Sequence, residues 1–125
     1  MQSEYGLHVQ VVHFLRHALP KNSLVHHSPN EGRHHVQHRL RQTAMGMTAG
    51  WPDLEMFVHP SGFLAGVQPA GIFVELKSPR GRLSQRQAVC VERLKELGQY
   101  AAICRSVEDV AEFLADKIRL QANIQ

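Results

Sequence analysis

The sequence has few of the features that mark membrane, secreted or disulfide-stabilised proteins. Its 125 residues include only two cysteines, too few for a disulfide framework or a four-cysteine zinc site. No apolar run approaches the roughly 20 residues of a membrane span, and the polar start of the chain is not typical of a signal peptide. We therefore expect a reduced, cytoplasmic protein without membrane contact.

Aromatic residues are also scarce, at 6% of the chain, which argues against an aromatic platform for stacking bases. Hydrophobic and charged contents of 43% and 20% are ordinary for a globular protein. The net charge is +3, and nine histidines can add charge below neutrality. This balance permits a polyanionic partner, and a nucleic acid would be bound through its backbone and shape.

The length predicts one domain, residues 1–125, with a tail that frays from about Arg119. Hydrophobic periodicity predicts the order helix, strand, basic insert, strand, strand, helix, strand, helix. Ser3, Ser84 and Ser106 are predicted helix caps. The helix after Ser84 has a predicted buried stripe of Ala88, Val91, Leu94 and Leu97. An α/β fold with a mixed sheet flanked by helices follows.

The stretch from Gly50 to Lys77 carries most of the chemistry. Pro52 bars a helix, and a strand of alternating residues follows Asp53. In the second strand, Glu75 and Lys77 lie two residues apart, so they share one face. Together with Asp53 and the carbonyl between them, they form a charged cluster suited to a hard divalent cation.

A simpler interpretation of the same residues stays open. Glu75 and Lys77 could be an exposed ion pair, which would contribute only about 0.2–1 kcal/mol. Asp53 could be an acid in a turn after the proline. Each of these interpretations is reasonable when the residues are taken singly.

The combination resembles the VRR-NUC family (virus-type replication-repair nucleases) of the PD-(D/E)xK superfamily. The resemblance is carried by Gly50, Pro52-Asp53 and Glu75-Leu76-Lys77, flanked by Pro29-Asn30-Glu31-Gly32 and Gly81-Arg82-Leu83-Ser84-Gln85-Arg86-Gln87. It extends from Glu4 to about Leu114 and implies an αβββαβ, restriction-endonuclease-like core.

The resemblance implies catalytic roles for Asp53, Glu75, Lys77 and Gln87. It implies Mg²⁺, with Mn²⁺ as a substitute, held by Asp53, Glu75, the Leu76 carbonyl and Glu4. Two of these residues have a second interpretation. Glu4 could instead favour its helix through the dipole, and Gln87 could be the partner of Ser84 in a capping box.

Residues proposed to bind substrate come from three segments. Asn30 and Glu31 match a loop that lies by the active site in the family, and the insert and the turn after Lys77 supply exposed arginines, Arg33, Arg39, Arg41, Arg80 and Arg82. Cationic side chains of this kind suit phosphate contact. A zinc site built on the histidines is the less favoured interpretation, because no cysteine lies near them.

The resemblance implies a metal-dependent, structure-selective DNA endonuclease, acting as a homodimer on branched DNA such as four-way junctions. The alternatives are a nicking or flap-directed nuclease and a DNA-binding accessory protein that has lost turnover. A zinc-dependent structural module is a third class. Cleavage with and without divalent metal distinguishes the enzymes from the other two.

Overall fold

The computed structural model describes residues 2–29 and 36–121. It contains four helices, four strands and a short 3₁₀ turn, in the order α1 (Glu4–Ala18), β1 (Leu24–His27), α2 (Val36–Ala44), β2 (Leu54–Phe57), the 3₁₀ turn (Pro60–Gly62), β3 (Ile72–Leu76), α3 (Gln85–Glu96), β4 (Tyr100–Cys104) and α4 (Val107–Ala115). None of the helices in these two ranges combines the length and apolar character that a membrane crossing requires.

The strands form one mixed sheet in the order β1-β2-β3-β4. β1 and β2 are antiparallel, as are β2 and β3, whereas β3 and β4 run parallel. The carboxyl ends of β1, β3 and β4 therefore meet the amino end of β2 at one edge of the sheet. This topology confirms the predicted α/β class and the αβββαβ order, with α2 inserted between β1 and β2.

Each face of the sheet is covered by a separate apolar layer. On one face, α1 and α4 pack on residues of β2 and β3 that include Leu54, Ile72 and Val74. On the other face, α3 packs on Phe73 and Ala101. The two layers confirm the predicted alternation of β3, because Phe73 faces α3 and its neighbours face α1.

Two residues of the predicted α3 stripe are not buried, since Ala88 is only half-buried and Leu97 lies outside the stripe. Leu97 is 65% exposed rather than buried, and Cys90 takes part in the stripe instead. Leu97 is the C-cap of α3, and Gly98 follows it with a φ of +85°. The helix ends there and the chain turns into β4, which begins at Tyr100, so Leu97 lies past the last turn of α3 and its side chain stays exposed.

The segment predicted to fray from about Arg119 makes backbone hydrogen bonds as far as Gln121. The Arg119 N–H donates to the Gly62 carbonyl at 2.8 Å, and the Gln121 N–H donates to the Ala18 carbonyl at 2.8 Å. These bonds tie the chain after α4 to the 3₁₀ turn and to the end of α1. Residues 122–125 lie outside the described part of the chain.

Candidate active site

Two buried carboxylates lie side by side at the edge of the sheet where β3 ends. Leu54 pairs with Val74, so one step further along the antiparallel ladder places Asp53 opposite Glu75. Leu54 packs in the apolar layer beneath α1. Because side chains alternate along a strand, its neighbour Asp53 and the opposite residue Glu75 both face α3. Asp53 is 2% exposed and Glu75 is 0% exposed.

Main-chain groups fix the position of Asp53. Its Oδ2 accepts a hydrogen bond from the Leu76 N–H at 2.8 Å. Its carbonyl oxygen accepts from the Ser28 N–H at 3.1 Å and lies 2.9 Å from His27 Nδ1. The carboxylate is therefore held by the end of β3, and the Asp53 main chain is held by residues at the end of β1.

Glu75 has two polar partners besides the facing Asp53. Gln87 Nε2 donates to Glu75 Oε2 at 2.8 Å, and Lys77 Nζ lies 4.0 Å from the same oxygen. The Lys77 side chain is only 12% exposed. The simpler interpretation of Glu75 and Lys77 as an exposed ion pair is therefore wrong. A buried carboxylate needs such partners to offset its lost hydration.

Gln87 makes both of the contacts that the sequence left as alternatives. Its Oε1 accepts from the Ser84 N–H at 2.9 Å, and its N–H donates to Ser84 Oγ at 3.1 Å, which completes the capping box of α3. Its Nε2 remains directed at Glu75. The start of α3 is thus fixed relative to the carboxylates by one side chain.

Gly50 brings the segment before Asp53 against the same turn of α3. Its φ is +78°, and a Cβ there would lie 2.5 Å from the carbonyl group of Arg86. Only glycine fits both requirements. The segment that ends at Gly50 therefore lies against the backbone of α3.

The two carboxylates and the adjoining lysine stand in the order of the PD-(D/E)xK pattern, with Gln87 beside them, and the family comparison agrees. The family model described as "VRR-NUC domain" matches residues 1–108. The chain belongs to the VRR-NUC family. Family membership makes it a nuclease domain, with DNA as the implied class of substrate.

A solved structure titled "VRR_NUC domain protein" is similar to this chain. The sequence identity is 20%, the TM-score is 0.64, and the match covers 91% of this chain and 86% of the other. This likeness shows a shared fold. No curated protein matches the sequence.

The oxygen donors of this VRR-NUC site fit a hard divalent cation. Two carboxylates and the Leu76 carbonyl between Glu75 and Lys77 are ligands of the type that Mg²⁺ prefers. Within residues 2–29 and 36–121, no group of three or more His, Cys, Asp or Glu side chains is placed to hold a metal ion. The site thus rests on two carboxylates, and zinc held by histidines finds no support in these ranges.

Glu4 is not grouped with Asp53 and Glu75, although its helix reaches the same end of the sheet. His8 lies one turn after Glu4, and its ring is 4.6 Å from that of His27, which contacts the Asp53 carbonyl. The structure places Glu4 in the first turn of α1, where an acid favours the helix dipole. Its role as a metal ligand stays a prediction.

The predicted substrate-binding residues fall into three groups. Asn30, Glu31 and Arg33 lie outside the described residues. Arg39 and Arg41 are exposed on α2, a helix with no buried residue in its span. Arg80 and Arg82 are exposed in the turn that follows Lys77. All four described arginines are therefore accessible to a phosphate backbone.

Sequence reasoning missed the residue that holds the turn after Lys77. Arg105 Nη1 donates to the carbonyls of Ser78 and Gly81 at 2.9 and 2.7 Å. Arg105 follows β4, which lies parallel to β3. The arginine-bearing turn is thus fixed to the neighbouring strand, at the same sheet edge as the carboxylates.

The two cysteines are free thiols and are not candidates for nucleophiles. Burial raises the pKa of the Cys104 thiol to about 12, with a further contribution from Asp109. Burial also raises the pKa of Cys90, and the negative charge of Glu75 adds to the effect. Both side chains therefore stay neutral near pH 7 and serve packing.

Proposed function

We propose that this VRR-NUC domain is a Mg²⁺-dependent, structure-selective DNA endonuclease that cuts branched DNA such as four-way junctions. The observation that carries the proposal is the buried pair Asp53 and Glu75 beside Lys77. Mn²⁺ is expected to substitute for Mg²⁺. The branched substrate comes from the family resemblance, and the exposed arginines support binding through phosphates.

The charge of the cluster supports a cation. Asp53 and Glu75 contribute −2, and Lys77 contributes +1, so the cluster has a formal charge of −1. Two facing carboxylates in a buried position repel each other, and one lysine only partly compensates them. A divalent cation would change the net charge to +1, which a phosphate of the substrate would then complement.

We assign the cation to Asp53 Oδ1, the Glu75 carboxylate and the Leu76 carbonyl. The second oxygen of Asp53, Oδ2, already accepts from the Leu76 N–H. When bound, the cation would lower the pKa of a water molecule and offset the negative charge that develops on the phosphate. Gln87 would hold the Glu75 carboxylate in one orientation through its 2.8 Å bond.

Lys77 would position the attacking water or stabilise the phosphate oxygens. The water oxygen forms a bond to phosphorus in line with the bond to the 3′ oxygen, and that bond breaks. The water proton passes to solvent or to the leaving oxygen, and the products carry 5′-phosphate and 3′-hydroxyl ends. An ammonium fixed near the reacting phosphate lowers the barrier without reorganising during the reaction.

A homodimer would suit a branched substrate. Two copies related by a two-fold axis present two identical sites, and a four-way junction offers two strands for symmetric cuts. Within each copy, the exposed arginines of α2 and of the turn after Lys77 would contact the DNA backbone. Contacts with the DNA backbone do not distinguish one base sequence from another, so selectivity would come from the shape of the DNA.

A panel of labelled substrates with and without Mg²⁺ tests this proposal. The panel comprises single strand, duplex, flap, fork and four-way junction, and the expected result is Mg²⁺-dependent cutting with the junction preferred. Preferred cutting of the flap or of one duplex strand would favour the flap-directed or nicking alternative. Binding without product in Mg²⁺ or Mn²⁺ would identify a DNA-binding accessory protein and overturn the proposal.

A further inference from the structure

An apolar groove runs beside the carboxylates, between the outer face of α3 and the segment that leads to Asp53. Its volume is about 450 Å³, which lies in the range of small-molecule sites. The residues that shape it include Ala49, Trp51, Arg86, Val89, Arg93 and Leu97. Four of these residues, Arg86, Val89, Arg93 and the C-cap Leu97, recur at a spacing of three or four, so they lie on one face of α3.

The groove combines an apolar floor with cationic edges. Val89 is 60% exposed and Leu97 is 65% exposed, so both present apolar surface to a ligand in the groove. Arg86 and Arg93 are exposed beside them, and no carboxylate is among the described residues that line the groove. This arrangement complements a flat apolar group that is attached to an anion.

One end of the groove lies close to the carboxylates, where the proposed function puts the scissile phosphate. Arg86 precedes Gln87, which contacts Glu75, and Trp51 precedes Asp53 by two residues, a span of at most about 7 Å. The close approach of Gly50 to the Arg86 backbone holds the two walls together. A group in the groove would therefore belong to a nucleotide near the one being cut.

We propose that this groove binds an unpaired nucleobase of the DNA strand that is cut, with Arg86 and Arg93 on the flanking phosphates. The inference rests on the proposed function, because it assigns a neighbouring subsite to the same substrate. Taking a base out of its stack costs least when that base has no partner. The groove would thus favour DNA that has unpaired nucleotides next to the cut.

The test compares two double variants with the wild-type chain. The groove variant, Val89→Ser/Leu97→Ser, removes the apolar floor. The control variant is Val9→Ser/Leu24→Ser, because these two residues are similarly exposed, at 49% and 66%, but lie outside the groove. Circular dichroism checks that both are folded. Binding is measured by fluorescence without divalent metal, with a fully paired duplex and with one that carries a single unpaired 2-aminopurine.

The wild type and the control are expected to bind the unpaired-base duplex more tightly and to change the 2-aminopurine fluorescence. The groove variant should lose roughly tenfold in affinity for that duplex, with unchanged affinity for the paired one. Equal binding of both duplexes by the wild type, or a preference that survives in the groove variant, would overturn the inference. The inference would also be overturned if the groove variant binds both duplexes like the wild type but differs from it in the mass measured by sedimentation. The groove would then be a contact between protein chains.

The same proteins separate this inference from the proposed function. If the wild type cuts DNA in Mg²⁺ but shows no preference for the unpaired base, the groove assignment alone is wrong. If it shows the preference and the groove variant loses it, but no DNA is cut, the assignment of the groove is supported and the proposed nuclease activity is wrong.

Discussion

The side-chain amide of Gln87 donates to Glu75 Oε2 at 2.8 Å while its carbonyl oxygen caps the Ser84 N–H at 2.9 Å. One residue thus links the start of α3 to a buried carboxylate. Ser84 takes part in the cap and has no part in the contact with Glu75, so the two roles of Gln87 can be separated by substitution.

Gln87→Glu should impair cleavage far more than Ser84→Ala. A glutamate keeps the acceptor of the capping box, but it places a second carboxylate against Glu75, so we expect at least a tenfold loss in cleavage rate. Ser84→Ala removes only the hydroxyl cap, which should cost about 1 kcal/mol of stability and leave the rate within about twofold. Initial cleavage rates and urea unfolding measure the two effects. Equal rates in the two variants would contradict a role for Gln87 at Glu75.

Gly50→Ala should destabilise the fold more than Gly46→Ala. Both glycines have positive φ, +78° and +103°, but an added Cβ at Gly50 would overlap the Arg86 backbone, and one at Gly46 would meet nothing within 4 Å. The left-handed conformation alone costs an alanine about 1–2 kcal/mol. The overlap should bring the loss at Gly50 to about 3 kcal/mol or more, as measured by urea unfolding. Similar losses at both positions would show that the close approach is unimportant.

Divalent metal should raise the thermal stability of the wild-type chain through Asp53 and Glu75. At a Mn²⁺ concentration ten times the Kd, ligand binding contributes about 1.4 kcal/mol, or roughly 5 °C in Tm. Glu75→Gln should lose this increase, and Glu112→Gln should keep it, because Glu112 is exposed on α4, away from the site. Calorimetry at matched ionic strength measures each Tm. An unchanged Mn²⁺ effect in Glu75→Gln would place the metal elsewhere.

Sequence patterns predicted the parts of the site that depend on local geometry. The two-residue period of β3 placed Glu75 and Lys77 on one face, as found, because side chains alternate along any strand. The caps at Ser3, Ser84 and Ser106 were also predicted correctly. An N-cap serine accepts a hydrogen bond from a backbone N–H two or three residues further on, so it depends only on local sequence.

Contacts between distant segments could not be predicted in the same way. Gly50 meets the Arg86 backbone across 35 intervening residues, and Arg105 bonds the carbonyls of Ser78 and Gly81 from the next strand. The exposure of Leu97 depends on where α3 ends relative to the sheet. Periodicity carries no information on such packing, so the groove along α3 was also missed.

Cleavage by Asp53→Asn tests the central claim most directly. Asparagine can keep an acceptor for the Leu76 N–H, which Asp53 Oδ2 now satisfies at 2.8 Å, but it removes the charge that would hold the cation. The measurement is the cleavage rate of labelled four-way junction DNA by wild type and variant, each with Mg²⁺ and with EDTA. We predict product only from the wild type in Mg²⁺, with a variant rate lower by at least a hundredfold. Product from the folded variant at the wild-type rate, or from the wild type in EDTA, would contradict the account.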